Sequence, residues 1–300
     1  MQDIDAHAIV DGGQIDHAYG DVHAKAGRFL GMQDLIDVFL RDECECAGQH
    51  SRRIRGTRRG LRHGGEGARL FDSGGAWRLY EHRGHDVYRF FLPWLRPAPY
   101  KEAWLEKAGR EGAVYLNPAA YPMDEPVDVL EFPLAELLFA RLLPAHQGVE
   151  LHACGVVDPS GKGYLFAGHS EDGKTTTARL WAEVPGAKVL SDDRIVLRRE
   201  GGAWWIYGTP WHGEASFAAD DRARVAAILL LRRGETNALD PLGPAEAVSS
   251  LLARSFAPLH DPAAIESTLA LLEKAASDVP CFRFSFVPGP DAVGFAMGAV

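Results

Sequence analysis

Hydrophobic positions recur along this chain with two periods, and the switches between them mark its elements. Residues 76–80 and 87–91 alternate apolar and polar positions like paired strands, with the turn around Gly84. Residues 113–116 read as a further short strand. Residues 133–143 change to the helical period, with Pro133 in the first turn and Pro144 at the end. Residues 149–157 and 163–167 return to strand patterns, joined by a turn at Asp158-Pro159-Ser160-Gly161, and a helix is expected over 176–182. A strand follows at 187–190, then a hairpin from 194–199 and 203–207 around Gly201-Gly202, and a strand at 225–231. Helices over 244–256 and 262–276 precede a strand at 281–287, expected to close the sheet. This alternation predicts the α/β class, a mixed sheet with flanking helices.

The first 65 residues differ from the rest. They are rich in His, Asp and Gly, and they end in an arginine cluster, Arg52, Arg53, Arg55, Arg58 and Arg59. Only residues 28–41 hold enough apolar positions for a helix. Residues 1–65 are therefore expected to be a poorly packed or accessory segment, the basic run being a solvated tail. Residues 66–145 would form an N-terminal β/α part, and 146–300 the core that carries the chemistry.

Composition narrows the class of function. A chain of 300 residues with 46% hydrophobic content can bury one large core or two modest ones. A net charge of −9 argues against a general nucleic-acid binder. The four cysteines, Cys44, Cys46, Cys154 and Cys281, are too few and scattered for a disulfide framework, and Cys44-Glu45-Cys46 lacks the spacer of the usual zinc or redox pairs. No apolar run reaches the length of a membrane span, and no charged start leads into an apolar stretch. A cytoplasmic enzyme without a membrane partner is the expectation.

The richest motif is Gly168-His169-Ser170-Glu171-Asp172-Gly173-Lys174-Thr175, a complete G-x-x-x-x-G-K-[ST] loop between an expected strand and an expected helix. Consecutive backbone N–H groups of such a loop form an anion cradle, at which the helix directs its positive end. Gly168, Ser170, Glu171, Asp172, Gly173, Lys174, Thr175 and Thr176 are thus the candidate nucleotide contacts. Lys174 would reach the outer phosphates of ATP, and the Thr175 hydroxyl would hold a Mg²⁺ bridging them.

Downstream, Asp192 and Asp193 follow an apolar strand. One carboxylate can hold the Mg²⁺, and the other can take the proton of a hydroxyl attacking the γ-phosphate. His152 lies in the strand before the loop, where a histidine is either a hydrogen-bonded core residue or a catalyst. In the Gly/Pro-rich stretch 208–214, Glu214 is a candidate metal contact and His212 a candidate substrate contact. His146 and His169 have no comparable case.

His152, the run from Gly161 to Ser170, Gly173-Lys174-Thr175-Thr176 and Leu190-Ser191-Asp192-Asp193 together resemble the catalytic domain of HPr kinase/phosphorylase. They are more similar still to its shorter relatives, the HPr kinase-like proteins that share the phosphoenolpyruvate carboxykinase fold. The stretch from Gly208 to Glu214 is similar to the same group, and the resemblance covers residues 134–256. It implies that Lys174 binds the β/γ-phosphates, Thr175 the metal, and that Asp193 is the catalytic base, with His152 in the active site. Asp192 and, by a looser alignment, Glu214 would be metal contacts. Arg232 and Arg233 are candidates for the family's C-terminal arginine. A possible homo-oligomer is also implied.

Two departures stand out. Glu171 replaces a glycine usual inside the loop, and its carboxylate would repel phosphate if it pointed inward. The N-terminal part has no likeness to the regulatory domain of the bifunctional enzyme, which puts phosphorylase activity and HPr as substrate in question.

A GTPase would want an Asn-Lys-x-Asp guanine reader and a transport ATPase a Leu-Ser-Gly-Gly signature, and the chain has neither. A carboxykinase is much longer. Two readings remain. One is an ATP- and Mg²⁺-dependent kinase phosphorylating a hydroxyl, expected to be a serine, of a peptide, protein or small molecule. The other is a non-catalytic ATP-sensing partner in a biosynthetic assembly. A binder needs one metal carboxylate, whereas a kinase also needs a base, so the pair Asp192 and Asp193 favours the kinase.

Overall fold

The computed structural model describes residues 7–8, 53–57, 67–107, 111–121, 130–169 and 172–298. The proposed helix at 28–41, Cys44, Cys46, Ser170 and Glu171 lie outside the described residues. The described chain falls into two compact units, one ending at Ala135 and the other beginning at Glu136. The fold is mixed α/β, with one sheet in each unit.

The first unit contains β1 (His7–Ala8), β2 (Arg53–Thr57), β3 (Ala68–Asp72), β4 (Trp77–His82), β5 (His85–Phe90), β6 (Lys101–Glu106) and β7 (Glu111–Leu116). Their order is β1-β2-β7-β6-β5-β4-β3, with β3 to β7 an antiparallel meander and β2 parallel to β7. Arg53–Thr57, from the segment expected as a tail, is thus a strand. The turn between β4 and β5 is the two-residue type that matches strand twist: Arg83 and Gly84 have φ of 49° and 79°.

β6 was not expected, because Lys101 and Glu102 break any apolar alternation. Both are buried and paired. Lys101 Nζ donates to the carbonyl and carboxylate oxygens of Glu131 at 3.0 and 3.3 Å. Glu102 accepts from Arg89 Nε at 2.8 Å and from Trp104 Nε1 at 3.4 Å. Paired in this way, charged groups are tolerated in a strand interior.

The second unit holds α1 (Leu134–Leu142), which begins at the unit boundary, then a short 3-10 turn (Leu143–His146), β8 (Gly148–Val157), β9 (Lys162–Ala167), α2 (Lys174–Ala182), β10 (Lys188–Ser191), β11 (Arg194–Glu200) and β12 (Ala203–Tyr207). It continues with β13 (Arg222–Arg233), β14 (Ala238–Pro241), α3 (Pro244–Leu252), α4 (Pro262–Asp278), β15 (Cys281–Phe286) and α5 (Pro290–Met297). The pairings β8–β11, β11–β12, β12–β13, β13–β9 and β9–β8 return to their start, so these five strands share a continuous set of ladders. β10 extends one side of β8, and β15 and then β14 extend β13. β15 therefore does not close the sheet; β14, only four residues long, is the edge strand beyond it.

Period-two alternation sends side chains to two cores. Leu151 and Ala153 of β8, Leu165 of β9 and Ile228 and Leu230 of β13 pack with Leu251 of α3 and Leu272 of α4. Cys154 and Val156, Tyr164 and Phe166, and Leu229 pack on the other side with Trp181 of α2 and Val293 of α5. Covered on both faces, β9 reads as an unbroken apolar run, as parallel-sheet strands do. The anchored strand that results leads directly into the glycine loop.

Candidate nucleotide and acid-pair site

The loop begins where β9 ends at Ala167 and closes at Gly173, directly before α2. Gly173 has φ of 109°, and a Cβ there would lie 2.4 Å from the Phe286 ring, so only glycine fits. Gly168 is packed tightly too; its Cβ would stand 2.9 Å from that of Asp172. Asp172 accepts a hydrogen bond from the His169 amide. The first amides of a helix have no intrahelical acceptor, and Gly173 offers no side-chain cap. Those amides, together with half-buried Thr175 and Thr176, are available to an anion.

Lys174 is buried, and its Nζ donates to the carbonyls of Gly168 and His169, both at 2.9 Å. Burial pushes its ammonium below the ordinary value, and the charges of Asp193 and Asp172 work the other way. A lysine bonded to loop carbonyls can exchange them for stronger charged acceptors.

The acid pair sits in the turn after β10. Ser191 Oγ accepts from the amides of Asp193 and Arg194 at 3.2 and 3.1 Å and donates to the Trp211 carbonyl at 3.1 Å. This turn sends the two carboxylates to different tasks. Asp192 is buried, and its two oxygens accept from the amides of Gly213 and Ala215, each at 2.9 Å. It fastens the stretch on which Glu214 sits exposed. A Cβ on Gly213 would lie 2.9 Å from Asp192 Oδ2, so the glycine permits this approach.

Asp193 is only partly buried and lies 3.1 Å, Oδ1 to Nε2, from His152. The His152 hydrogen bond first, then the charges of His152, Arg194 and Lys174, hold its carboxyl below the usual value, against the effect of burial. The ladder explains the meeting: His152 of β8 pairs with Arg194 of β11, next to Asp193. Glu150 shares this face of β8, two residues before His152. Arg194 Nη1 lies 3.4 Å from both Glu136 and Glu150. Burial pushes Glu150 up to about 7 and also raises Glu136, in each case opposed by the Arg194 charge. One Glu150 oxygen, Oε2, is buried without a hydrogen-bond partner among the described residues.

Sequence reasoning missed Arg254. α3 stops at Leu252, short of the expected 256, and residues 254–256 then run beside β8 where β9 has turned away. His152 N donates to the Arg254 carbonyl at 2.7 Å, and Phe256 N to the Glu150 carbonyl at 3.0 Å. The mostly buried Arg254 side chain reaches within 4.0 Å of Asp172 in the loop, and its charge acts on Lys174. Among the described residues its Nε has no hydrogen-bond partner. No local pattern marks this arginine, because only the return of the chain along β8 brings it to the loop. Arg232 and Arg233 are exposed, as is His212, whose Nδ1 lies 3.0 Å from the Gly213 carbonyl.

Thr175, Asp192 and Glu214, the residues expected from the sequence to contact a metal, all carry oxygen donors, the kind that suits Mg²⁺. Among the described residues no group of three or more His, Cys, Asp or Glu side chains gathers as a metal site. A divalent ion here would depend on phosphate oxygens for part of its shell. No helix among the described residues is long and apolar enough to cross a membrane. No protein-family model matches the chain, and no curated protein matches it either.

Proposed function

We propose that this protein is an ATP- and Mg²⁺-dependent kinase of the HPr kinase-like type, which transfers the γ-phosphate to a hydroxyl, expected to be a serine, of a peptide, protein or small molecule. The observation that carries the proposal is Asp193: a carboxylate held ionised by His152, within electrostatic range of the loop lysine Lys174. A site that only bound ATP would have no use for that pairing.

In this reading Lys174 leaves the loop carbonyls and offsets charge on the β- and γ-phosphate oxygens, while the first amides of α2 cradle the phosphates. Thr175, Asp192 and Glu214 would hold the Mg²⁺, which would supply charge neutralisation to the phosphates. Asp192 additionally keeps the Glu214 stretch in place through its two amide bonds. The acceptor oxygen bonds to the γ-phosphorus as the bond to the β-phosphate oxygen breaks; ADP leaves, and the hydroxyl proton passes to Asp193. His152 orients the receiving carboxylate. Arg254 adds a second positive charge beside the loop.

The test is transfer from γ-labelled ATP, with Mg²⁺ varied, to serine-containing peptides and to water. Mg²⁺-dependent labelling of a hydroxyl supports the kinase. Calorimetric ATP binding without transfer to any acceptor would make the chain an ATP-sensing partner instead.

A further inference from the structure

Arg194 occupies an unusual position for a buried cation. Its Nη1 contacts two carboxylates, Glu136 and Glu150, while its Nε faces Asp193 Oδ2 at 3.6 Å, an ion-pair distance rather than a hydrogen bond. Its guanidinium carbon lies 4.3 Å over the Phe256 ring and 5.7 Å from that of Trp211, which in turn stacks edge-on against Phe139 of α1. Four elements thus hold one planar group: α1, β8, the 209–214 stretch and the segment after α3.

Stability alone does not explain this arrangement. Burying Glu150 with an unpartnered oxygen is costly, and apolar residues of similar volume commonly serve a core as well or better. Carboxylates lie beside its Nε and Nη1 and the Phe256 ring covers one face, so the group is turned toward the carboxylates around it. What the cage does fix is the plane of the guanidinium, and with it one side of the Asp193 carboxylate. His152 holds the other oxygen, Oδ1.

We propose that Arg194, caged by Glu136, Glu150 and Phe256, is a positioning residue that holds the Asp193 carboxylate in one orientation as the acceptor hydroxyl arrives. This rests on the kinase reading above. Arg194 touches neither nucleotide nor acceptor; it acts through Asp193. Glu150, behind it, acts through Arg194.

The experiment follows turnover of γ-labelled ATP, with pooled serine peptides and water as acceptors, alongside calorimetric ATP affinity. Arg194→Ala is expected to lower kcat by roughly tenfold to a hundredfold, the scale of a small misplacement of a reacting group, with ATP affinity unchanged. Millimolar guanidinium should restore much of that loss saturably, whereas ammonium at equal ionic strength should not. Glu150→Gln keeps the shape of the cage and, assayed at pH 8 where Glu150 is ionised, should lower kcat several-fold, again without changing ATP affinity. It serves as the second variant if Arg194→Ala does not fold. Full kcat in either variant, or a loss in Arg194→Ala that guanidinium does not relieve, overturns the positioning role. Asp193→Asn run in parallel separates the two claims. If it is inactive while the Arg194 and Glu150 variants are fully active, only this inference fails. If it retains full turnover, the base assignment itself fails.

Discussion

In the N-terminal sheet, buried Lys101 and Glu102 each have a charged partner, Glu131 and Arg89 respectively. In the C-terminal unit, among the described residues, buried Lys174 donates to backbone carbonyls and Glu150 keeps one oxygen without a hydrogen bond. Both regions place charge out of water, yet one answers it with opposite charge and the other leaves it incompletely answered. A fully paired buried charge is a structural solution, whereas an under-satisfied one persists where a ligand or reaction uses it. On the kinase reading proposed above, this difference sets the scaffold of the first sheet apart from the site around Lys174 and Glu150.

The comparison breaks most visibly at Arg89. Arg89→Ala removes the partner of buried Glu102 and should cost roughly 3–5 kcal/mol, the usual scale for orphaning a buried charge. Urea titration would read this as a lower midpoint with an unchanged slope. A loss below about 1 kcal/mol would mean that the pairing in the first sheet is not structural.

Glu150 should behave in the opposite sense. Its folded value of about 7 stands above the ordinary 4.5, so the native state holds a proton that the unfolded chain has released. Stability contributed at this position is therefore lost as pH rises from about 4.5 through 7. Glu150→Gln cannot ionise and should gain on the parent by on the order of 3 kcal/mol between pH 4 and pH 8. Melting curves of both proteins at the two pH values check this, and parallel pH dependence would contradict it.

Lys174→Met is the mildest for the fold. Among the described residues its partners are loop carbonyls, so its loss should change stability by less than about 1 kcal/mol. ATP·Mg²⁺ affinity should nevertheless fall by about 2 kcal/mol, roughly thirtyfold, for the missing charge-assisted contact. Calorimetry alongside a melting curve reads both. A large loss of stability with unchanged affinity would reverse the assignment of scaffold and site.

The elements that carry the loop were legible because their signals are local. β9 is an apolar run, Gly173 punctuates it, and α2 starts at the next residue. The β4–β5 hairpin announced itself through Gly84 and clean alternation. β6 did not, since Lys101 and Glu102 only make sense once Glu131 and Arg89 are opposite them. Within the site, the meeting of His152 and Asp193 follows from register between β8 and β11, which spacing along the chain does not encode. Arg254 was hidden for the same reason, and the expected continuation of α3 to residue 256 concealed the segment that delivers it. Asp192 shows a subtler limit. An Asp-Asp pair after a strand suggests two similar acids, but the amides of Gly213 and Ala215 make one of them a loop anchor.

The central claim is that Asp193 takes the acceptor's proton beside a bound nucleotide. Its most direct measurement is phosphate transfer from γ-labelled ATP by the parent protein and by Asp193→Asn, with ATP·Mg²⁺ affinity measured on the same samples. Transfer should fall by roughly a hundredfold or more while affinity stays the same, the scale of lost general-base catalysis. Undiminished transfer by Asp193→Asn would contradict the account.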